Sequence, residues 1–286
     1  MVKGKSDFVI DGFVYVTLFI AGFVCVFPLL YVLSVSLTPI EEVLKNGGFV
    51  VIPKSITLEA YQRIFKQRLL PTAMGVTVYV TVLGTIINVF FSVLMAYPLS
   101  KLDLPGRKLL MNLVIFTMLF GGGTIPTYLL AKNLGLMNTY WAMILPTAID
   151  TYNMIVVKAF FENLPSDLFE SARIDGANEF RVLWQIAIPL SKAVIMTVGL
   201  FYAVGHWSTY FSAIMYITDE KMYPLQVVLR KLLNNNPELN MNVDVVVPTQ
   251  TMQMASVIFS TVPIILVYPF IQKYFTKGVM LGAIKG

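Results

Sequence analysis

The stretch GFVYVTLFIAGFVCVFPLLYVLSVSL, residues 12–37, carries no charged side chain. A helix needs about 20 mostly apolar residues to cross the hydrocarbon core of a bilayer, and this stretch exceeds that length. The apolar region of a cleavable signal peptide is shorter, roughly 7–15 residues. The flank TPIEE, residues 38–42, also offers no small-x-small cleavage site. The stretch therefore predicts a first transmembrane helix that is not removed.

The composition of the whole chain also indicates an integral membrane protein. Of its 286 residues, 57% are hydrophobic and 13% are charged, whereas a soluble domain carries about 25% charged residues. This composition excludes a disordered chain, and the single cysteine, Cys25, excludes an internal disulfide framework. The formal net charge is +5, but Lys and Arg are spread along the chain. We therefore expect a lipid membrane as the environment and no nucleic acid as a partner.

Five further apolar runs follow the first one, and all are too long to be barrel strands. The sequence predicts an all-α, polytopic membrane protein with six transmembrane helices. One of these runs contains three consecutive glycines and then a proline, which predicts a broken helix. The five runs are Leu69–Ser100, Leu109–Ala131, Leu136–Val157, Ala193–Ile217 and Val245–Gln272.

The six spans divide the chain into five parts. We expect an N-terminal tail over residues 1–11, a first span over 12–37, an extracytoplasmic segment over 38–68, a core of five helices over 69–275 and a C-terminal tail over 276–286. An even number of spans places both termini on one side. A small excess of Lys and Arg on that side indicates that it is the cytoplasmic side.

The polar segment FENLPSDLFESARIDGANEFRVLWQIAIPL, residues 161–190, separates the fourth and fifth spans. Ser166 is a candidate N-cap, and Gly176 is placed to end the helix that follows. Asn178 is placed to cap a second short helix. Two short helices joined at a glycine therefore lie between the spans. They act either as an amphipathic loop on the lipid surface or as a docking element for a soluble partner.

The same segment resembles the EAA loop of the permease subunits of binding-protein-dependent ABC importers. That loop has the pattern Glu-Ala-Ala-x3-Gly-x9-Ile-x-Leu-Pro. This chain has Glu170-Ser171-Ala172, then Gly176, then Ile186-Ala187-Ile188-Pro189. It departs from the pattern at Ser171 and Ile188. Stretches before and after the loop are similar to permeases of carbohydrate importers with six spans, and the Gly-Gly-Gly stretch and the C-terminal tail resemble a subgroup for complex oligosaccharides.

The resemblance implies a type I ABC-importer permease fold and a position in a bacterial cytoplasmic membrane. It implies a second homologous permease, two ATPase subunits and an extracytoplasmic solute-binding protein that delivers a carbohydrate. ATP and Mg would bind to the partner ATPase, so this chain is expected to bind no cofactor and to catalyse no reaction. Its coupling helices would lie at residues 163–188. The implied ATPase-coupling residues are Glu170, Ser171, Ala172, Asp175, Gly176, Ile186, Ile188 and Pro189.

Other contacts are expected from the same resemblance and from the polarity of the loops. The segments Thr38–Arg68 and Thr218–Asp244 lie on one side of the membrane and are expected to contact the binding protein, the second of them near Asn235. The tail Lys277–Gly286 is too apolar for a solvated end, and we expect it to lie against the ATPase. Packing on the lipid surface is the alternative for this tail.

A second set of residues lies inside the spans and is a candidate lining for the substrate path. An ionisable group in a span is costly, so it faces either a cavity or a bonding partner within the bundle. Aromatic side chains can stack on a sugar ring or simply pack, and a glycine run can allow close packing or unwind a helix. The candidates are Asp150, Tyr152, Asn153, His206, Trp207, Tyr210, Gly121, Gly122 and Gly123.

Two other classes of protein are alternatives to the importer permease. A secondary transporter needs ion-coupling residues in its spans, and Asp150 is the only acidic residue there. A channel needs rings of polar pore residues, which the spans do not show. Neither alternative explains the EAA-like loop. The sequence contains no Gly-x4-Gly-Lys-Ser/Thr phosphate loop and no metal-ligand cluster, so the chain is expected to be neither the ATPase nor a metalloenzyme.

Overall fold

The computed structural model describes residues 5–234 and 249–283, and within these ranges the chain forms helices and turns without a strand. The α-helices are α1 Lys5–Ser36, α2 Ile40–Lys45, α3 Glu59–Gln67, α4 Leu69–Ser100, α5 Arg107–Leu119, α6 Thr124–Asn133, α7 Trp141–Ile144, α8 Thr151–Glu162, α9 Ser166–Ile174, α10 Glu179–Val182, α11 Ile188–Leu190, α12 Lys192–Trp207, α13 Phe211–Tyr216, α14 Leu225–Leu233 and α15 Gln250–Ala283. Short 3₁₀ turns lie at Leu145–Thr147 and Glu220–Met222, and a π-helical turn at Leu183–Ala187.

Three of the helices are long and apolar enough to cross a membrane by themselves. They contain the stretches Ile10–Ser36, Leu69–Ser100 and Gln250–Val267. Three further stretches meet the same test only as pairs of helices bent by more than 40°. Counting each bent pair among the described residues as one span gives up to six, the number of apolar runs in the sequence. One of these pairs joins Glu179–Leu190 to Lys192–Trp207, and only its second helix overlaps the predicted run Ala193–Ile217.

The glycine run breaks the third predicted span, as the sequence indicates. Helix α5 ends at Leu119, α6 begins at Thr124, and their directions differ by 112°. Gly123 has a φ of +84°, a conformation that costs glycine little and other residues more. The predicted span Leu109–Ala131 is therefore two helices with a sharp change of direction between them.

The chain separates into two compact units. The first contains the described parts of Met1–Pro71 and Leu229–Pro263. Its small core packs Val35, Val43 and Val50 together, and the hydroxyl of Tyr31 donates to the carbonyl oxygen of Gly48 at 2.8 Å. This unit groups α1 with the first part of α15.

The second unit contains Thr72–Val228 and the chain from Ile264 onwards. Its main core joins α4, α8 and α12 and includes Val93, Met154 and Val198. The apolar face of α9 packs into the same core through Phe169. The second unit therefore holds the whole EAA-like segment.

Part of the predicted partner contacts lies outside the described residues. The loop Thr218–Asp244 is described only to Asn234, so Asn235 lies outside. The tail Lys277–Gly286 is helical as far as Ala283, and residues 284–286 lie outside. The contacts expected for these two segments stay predictions.

Candidate functional site

The first short helix of the EAA-like segment, α9, is amphipathic. Phe169 is its one buried residue, at 8% exposure, and packs among core side chains of α4 and α8. Glu170 and Ser171 follow it and are exposed. Because neighbouring residues on a helix point about 100° apart, burying Phe169 directs Glu170 away from the core. The arrangement presents the EAA-like glutamate on a surface that is open for a partner.

Gly176 ends α9 with a hydrogen-bonding pattern that few other residues allow. Its φ is +79°, the N–H of Gly176 donates to the carbonyl of Arg173 at 3.0 Å, and the N–H of Ala177 donates to that of Ala172 at 2.9 Å. These two bonds define a Schellman motif, which satisfies carbonyls that the helix end leaves free. Gly176 thus lies at the junction of the two short helices, where the sequence predicts it, and its role in coupling stays a prediction.

The second short helix begins where the sequence indicates, whereas the first begins one residue earlier than expected. The side chain of Asn178 accepts a hydrogen bond from the N–H of Arg181 at 2.8 Å and caps α10. Ser166 is not the N-cap of α9, because that position belongs to Pro165 and no side chain caps the helix. Proline presets a φ close to that of a helix, so this helix begins without a side-chain cap.

The segment between α10 and the fifth span is irregular. Residues Leu183–Ala187 form a π-helical turn, and α12 leaves Ser191 at 83° to the helix Glu179–Leu190. Pro189 has no N–H to donate to the carbonyl four residues earlier, which favours a local change of helix type. Residues 179–190 therefore lie at a steep angle to the span rather than extending it.

The EAA-like residues divide into an outward and an inward set. Ala172, Ile186 and Ile188 are half-buried and pack against the core of α4, α8 and α12, so they hold the segment in place. Glu170, Ser171, Asp175, Gly176 and Pro189 are exposed. Large apolar side chains extend the exposed surface: Leu168 is 44% exposed, Ile174 86% and Phe180 70%. A surface that combines exposed carboxylates with exposed apolar side chains fits a protein partner.

Two residues at the end of α4 support this segment and were missed by the sequence analysis. The ammonium of Lys101 lies 4.0 Å from the centre of the Phe169 ring and 4.6 Å from that of the Tyr97 ring. Burial lowers the pKa of this ammonium, and the nearby carboxylate of Glu179 opposes the shift. Tyr97 lies in the last turn of α4 and Lys101 directly follows this helix. A tyrosine and a lysine at the end of an apolar span are too common in sequences to indicate this contact.

The candidate substrate-path residues of the fourth span lie at its break. Asp150 is exposed, and its side chain accepts a hydrogen bond from the N–H of Asn153 at 2.8 Å, which makes it the N-cap of α8. The N–H of Asp150 donates to the hydroxyl of Tyr202 on α12 at 2.9 Å, and that hydroxyl also lies 2.6 Å from Ser92 Oγ on α4. The break brings Asp150 and Asn153 together beside Tyr202, a residue that the sequence analysis did not single out.

His206 occupies a separate position one turn further along α12. It is 5% exposed, and its Nε2 lies 3.1 Å from Asn88 Nδ2 on α4, which also donates to the carbonyl of Thr147 at 3.0 Å. A Cβ added to Gly84 would lie 2.5 Å from the same Nε2. His206 is thus bonded within the bundle, which favours the packing interpretation for this residue.

The remaining candidates differ in exposure. Tyr152 is 58% exposed and Gly121–Gly123 are exposed, while Trp207 and Tyr210 are half-buried. The indole Nε1 of Trp207 is buried and has no hydrogen-bond partner among the described residues. The ring of Tyr210 packs against a cluster that includes Ile144 and Ala213. Contact between these residues and a sugar stays a prediction.

Fold and site together define a polytopic membrane protein with an exposed segment of two short helices between two of its spans. Its family follows from the sequence: residues 67–281 match the family described as binding-protein-dependent transport system inner membrane component, and the chain belongs to it. Members of this family are the permease components of ABC importers. The chain is accordingly a transport subunit rather than an enzyme, and membership sets aside the secondary-transporter and channel alternatives.

The similarity to individual permeases extends over almost the whole chain. The chain is 45% identical to the polygalacturonan/rhamnogalacturonan transport system permease protein YtcP of Bacillus subtilis (strain 168), over 96% of this chain and 98% of that protein. It is 47% identical to the protein LplC of the same organism, over 93% of this chain and 91% of that protein.

A solved structure shows the same fold. It is described as a bacterial ABC transporter involved in the import of the acidic polysaccharide alginate. The alignment has a TM-score of 0.88 and 32% identity, and it covers 96% of this chain and 99% of the other. The type I ABC-importer permease fold expected from the EAA-like loop is therefore confirmed.

Proposed function

We propose that this permease translocates an oligosaccharide derived from a complex, acidic polysaccharide and that residues 163–190 couple its movement to ATP hydrolysis. Support for the cargo comes from the alginate importer and from YtcP, whose names refer to such polysaccharides. Support for the coupling comes from one observation in the structure. The helix α9 is anchored by the buried Phe169, with the half-buried Ala172 also packed against the core, and it turns Glu170 and Ile174 away from the core.

The outward surface of this coupling segment, residues 163–190, suits a cleft on an ATPase. Glu170 and Asp175 are exposed carboxylates that can accept hydrogen bonds from cationic or amide groups. Ile174 and Phe180 add apolar area that a partner can bury. The position of Gly176 between them keeps the two short helices close enough for one cleft to receive both.

The complete importer in this proposal has the composition implied by the EAA-like loop. A second homologous permease completes the pathway, two ATPase subunits bind the coupling segments and hold ATP with Mg, and an extracytoplasmic binding protein delivers the sugar. Both termini lie in the cytoplasm. The segments Thr38–Arg68 and Thr218–Asp244 meet the binding protein, and Tyr152, Trp207 and Tyr210 supply aromatic surface to the sugar.

The coupling assignment is tested by reversing one exposed charge. Losing a charge-assisted contact at a buried protein interface costs about 2–5 kcal/mol. We therefore expect Glu170→Lys to remain in the membrane with its partner permease while ATPase co-purification and sugar uptake fall to near background. The matched control is Glu41→Lys, the same reversal at an exposed position of α2. Glu41→Lys should retain the ATPase on co-purification. Normal sugar uptake in Glu170→Lys would contradict the coupling assignment.

The cargo is tested separately with the purified importer and its binding protein in liposomes. We expect ATP-dependent uptake of labelled oligogalacturonides or oligoalginates that does not require an ion gradient. A neutral malto-oligosaccharide of the same length is the control. Preferred uptake of that neutral sugar would contradict the acidic cargo while leaving the coupling assignment intact.

A further inference from the structure

A hydrogen bond and two ring contacts attach the coupling segment to helix α4 through residues outside the EAA-like pattern. The hydroxyl of Tyr97 donates to Glu179 Oε2 at 2.7 Å. Lys101 directly follows α4, and its ammonium lies over the rings of Phe169 and Tyr97. The end of α4 therefore contacts both short helices, α9 through Phe169 and α10 through Glu179.

The carboxylate of Glu179 also joins the two short helices to each other. Its Oε1 accepts from Arg173 Nε at 3.0 Å and lies 2.8 Å from a terminal guanidinium nitrogen of the same residue. This ion pair spans the turn at Gly176. Both nitrogens meet the same carboxylate oxygen, and the two side chains are 43% and 53% exposed, so the pair is a local restraint between α9 and α10 rather than a strong clamp. One side chain, Glu179, thus connects α9, α10 and α4.

The coupling segment is also connected to α12 along the backbone, but this connection is interrupted by irregular turns. From α10 the chain passes through the π-helical turn Leu183–Ala187 and bends by 83° at Ser191 before α12 begins. A displacement of the coupling segment can be absorbed at these two irregular points. The attachment through Tyr97 lies in the packed core, because this residue is 6% exposed.

Tyr97 also connects α4 to the end of the fourth span. Its ring meets that of Phe161 on α8 edge-on, with the ring centres 5.9 Å apart. Both rings belong to the main core of the second unit, which packs as a rigid solid and transmits displacement. A movement of Glu179 therefore reaches two membrane-spanning elements through one tyrosine.

We propose that Tyr97, Lys101 and Glu179 are positioning residues that transmit the movement of the coupling segment to α4 and α8. The inference rests on the proposed coupling function of residues 163–190. It adds that the connection from this segment to the membrane runs sideways into α4, in addition to the chain that continues into α12. Tyr97 is the most specific point of the connection because its hydroxyl bonds to Glu179 while its ring fills the core.

The test removes that hydroxyl and keeps the ring. The complete importer is reconstituted in liposomes, and the sugar transported per ATP hydrolysed is measured for Tyr97→Phe. We expect this ratio to fall about tenfold, the factor that corresponds to losing one hydrogen bond to a charged group, while the amount of ATPase that co-purifies stays at the wild-type level. The matched control is Tyr79→Phe on the same helix, where the ring contacts Tyr140 at 5.2 Å.

A second pair of variants separates positioning from simple structural support. Glu179→Gln keeps an acceptor for the Tyr97 hydroxyl and should retain more of the transport ratio than Glu179→Ala. A wild-type ratio in Tyr97→Phe, or equal losses in both Glu179 variants, overturns the proposal. If Glu170→Lys loses the ATPase while Tyr97→Phe transports normally, only this inference fails. If Glu170→Lys also keeps the ATPase and transports normally, the coupling assignment fails with it.

Discussion

At the scale of single residues, Gly84 shows how closely α4 and α12 approach each other. A Cβ at this position would lie 2.5 Å from His206 Nε2, and the imidazole is buried and bonded to Asn88. Overpacking of this kind typically costs about 1–3 kcal/mol. We expect Gly84→Ala to lower the stability of the purified permease by that amount in thermal unfolding followed in detergent.

Gly199 provides the matched control for this prediction. It lies on α12, and a Cβ there would meet Val89 Cγ2 at 3.5 Å, an ordinary contact. Gly199→Ala should be neutral or stabilising, because alanine favours a helix over glycine by about 1 kcal/mol. Equal losses in the two variants would show that the space beside His206 does not explain the effect.

Position 176 favours glycine because of its backbone conformation, and not because a side chain there would clash with a neighbour. Its φ is +79°, and no atom lies within 4 Å of a Cβ built on it. We expect Gly176→Ala to cost about 1 kcal/mol of local strain and to lower the ATP hydrolysis that the loaded binding protein stimulates. Gly135 has a φ of +69° and equally open surroundings, so Gly135→Ala carries the same strain elsewhere. Equal stimulation in both variants would argue against a special role of the turn at Gly176.

Residues such as Gly176 and Glu170 could be found from the sequence because their signal is local. A glycine between two short amphipathic stretches predicts a positive φ, and a carboxylate next to a buried phenylalanine predicts exposure. Tyr97 and Tyr202 could not be found in this way. Their hydrogen-bond partners Glu179 and Asp150 lie 82 and 52 positions away along the chain. The sequence around a tyrosine in an apolar span does not indicate a hydrogen bond to such a distant residue.

At the scale of elements, α9 depends on one large anchor, Phe169, beside which only the small Ala172 also packs against the core. Phe169 is the buried residue of a nine-residue helix, and helices of that length are marginal without tertiary packing. Truncating a buried phenylalanine to alanine costs roughly 3–5 kcal/mol. We expect Phe169→Ala to unfold α9 locally and to speed tryptic cleavage after Arg173, measured on the purified permease.

The neighbouring Leu168 separates anchoring from contact. It is 44% exposed on the outward surface, so Leu168→Ala should leave the cleavage rate unchanged while weakening ATPase binding. Rapid cleavage in both variants would contradict the assignment of Phe169 as the anchor. The contrast matters because an unfolded helix and a lost contact would otherwise reduce transport in the same way.

The breaks in the spans could be predicted in part from the sequence. Gly121–Gly123 indicated the interruption of the third span, but the 112° change of direction depends on how α6 packs against its neighbours, which a glycine run does not specify. The 83° bend at Ser191 has Pro189 as a sequence signal two residues earlier, because a proline interrupts the hydrogen bonding of a helix but does not set the angle that follows. Glycine and proline in the sequence predict where a helix ends, whereas tertiary packing determines the direction of the next helix.

At the scale of the whole molecule, hydropathy predicted the number of spans but not the compact units. Each apolar run is a local property of the chain, whereas the grouping of α1 with the first part of α15 joins segments at opposite ends of the sequence. Nothing in the composition of either segment marks the other as its neighbour. The count of six is nevertheless enough to predict a topology, because every span reverses the side of the membrane.

Counting spans places the two polar segments that matter for transport on opposite sides. Three spans separate the segment 38–68 from the coupling segment, and an odd number of crossings reverses the side. In a variant with Cys25→Ser, which removes the only natural cysteine, single cysteines can report each side. Ile52 is 83% exposed in the first segment, and Asp175 is exposed in the second. We expect a membrane-impermeant maleimide to label Ile52→Cys in intact cells and Asp175→Cys only after the membrane is permeabilised. The reverse pattern would place the termini outside, and labelling of both in intact cells would contradict an odd number of spans between them.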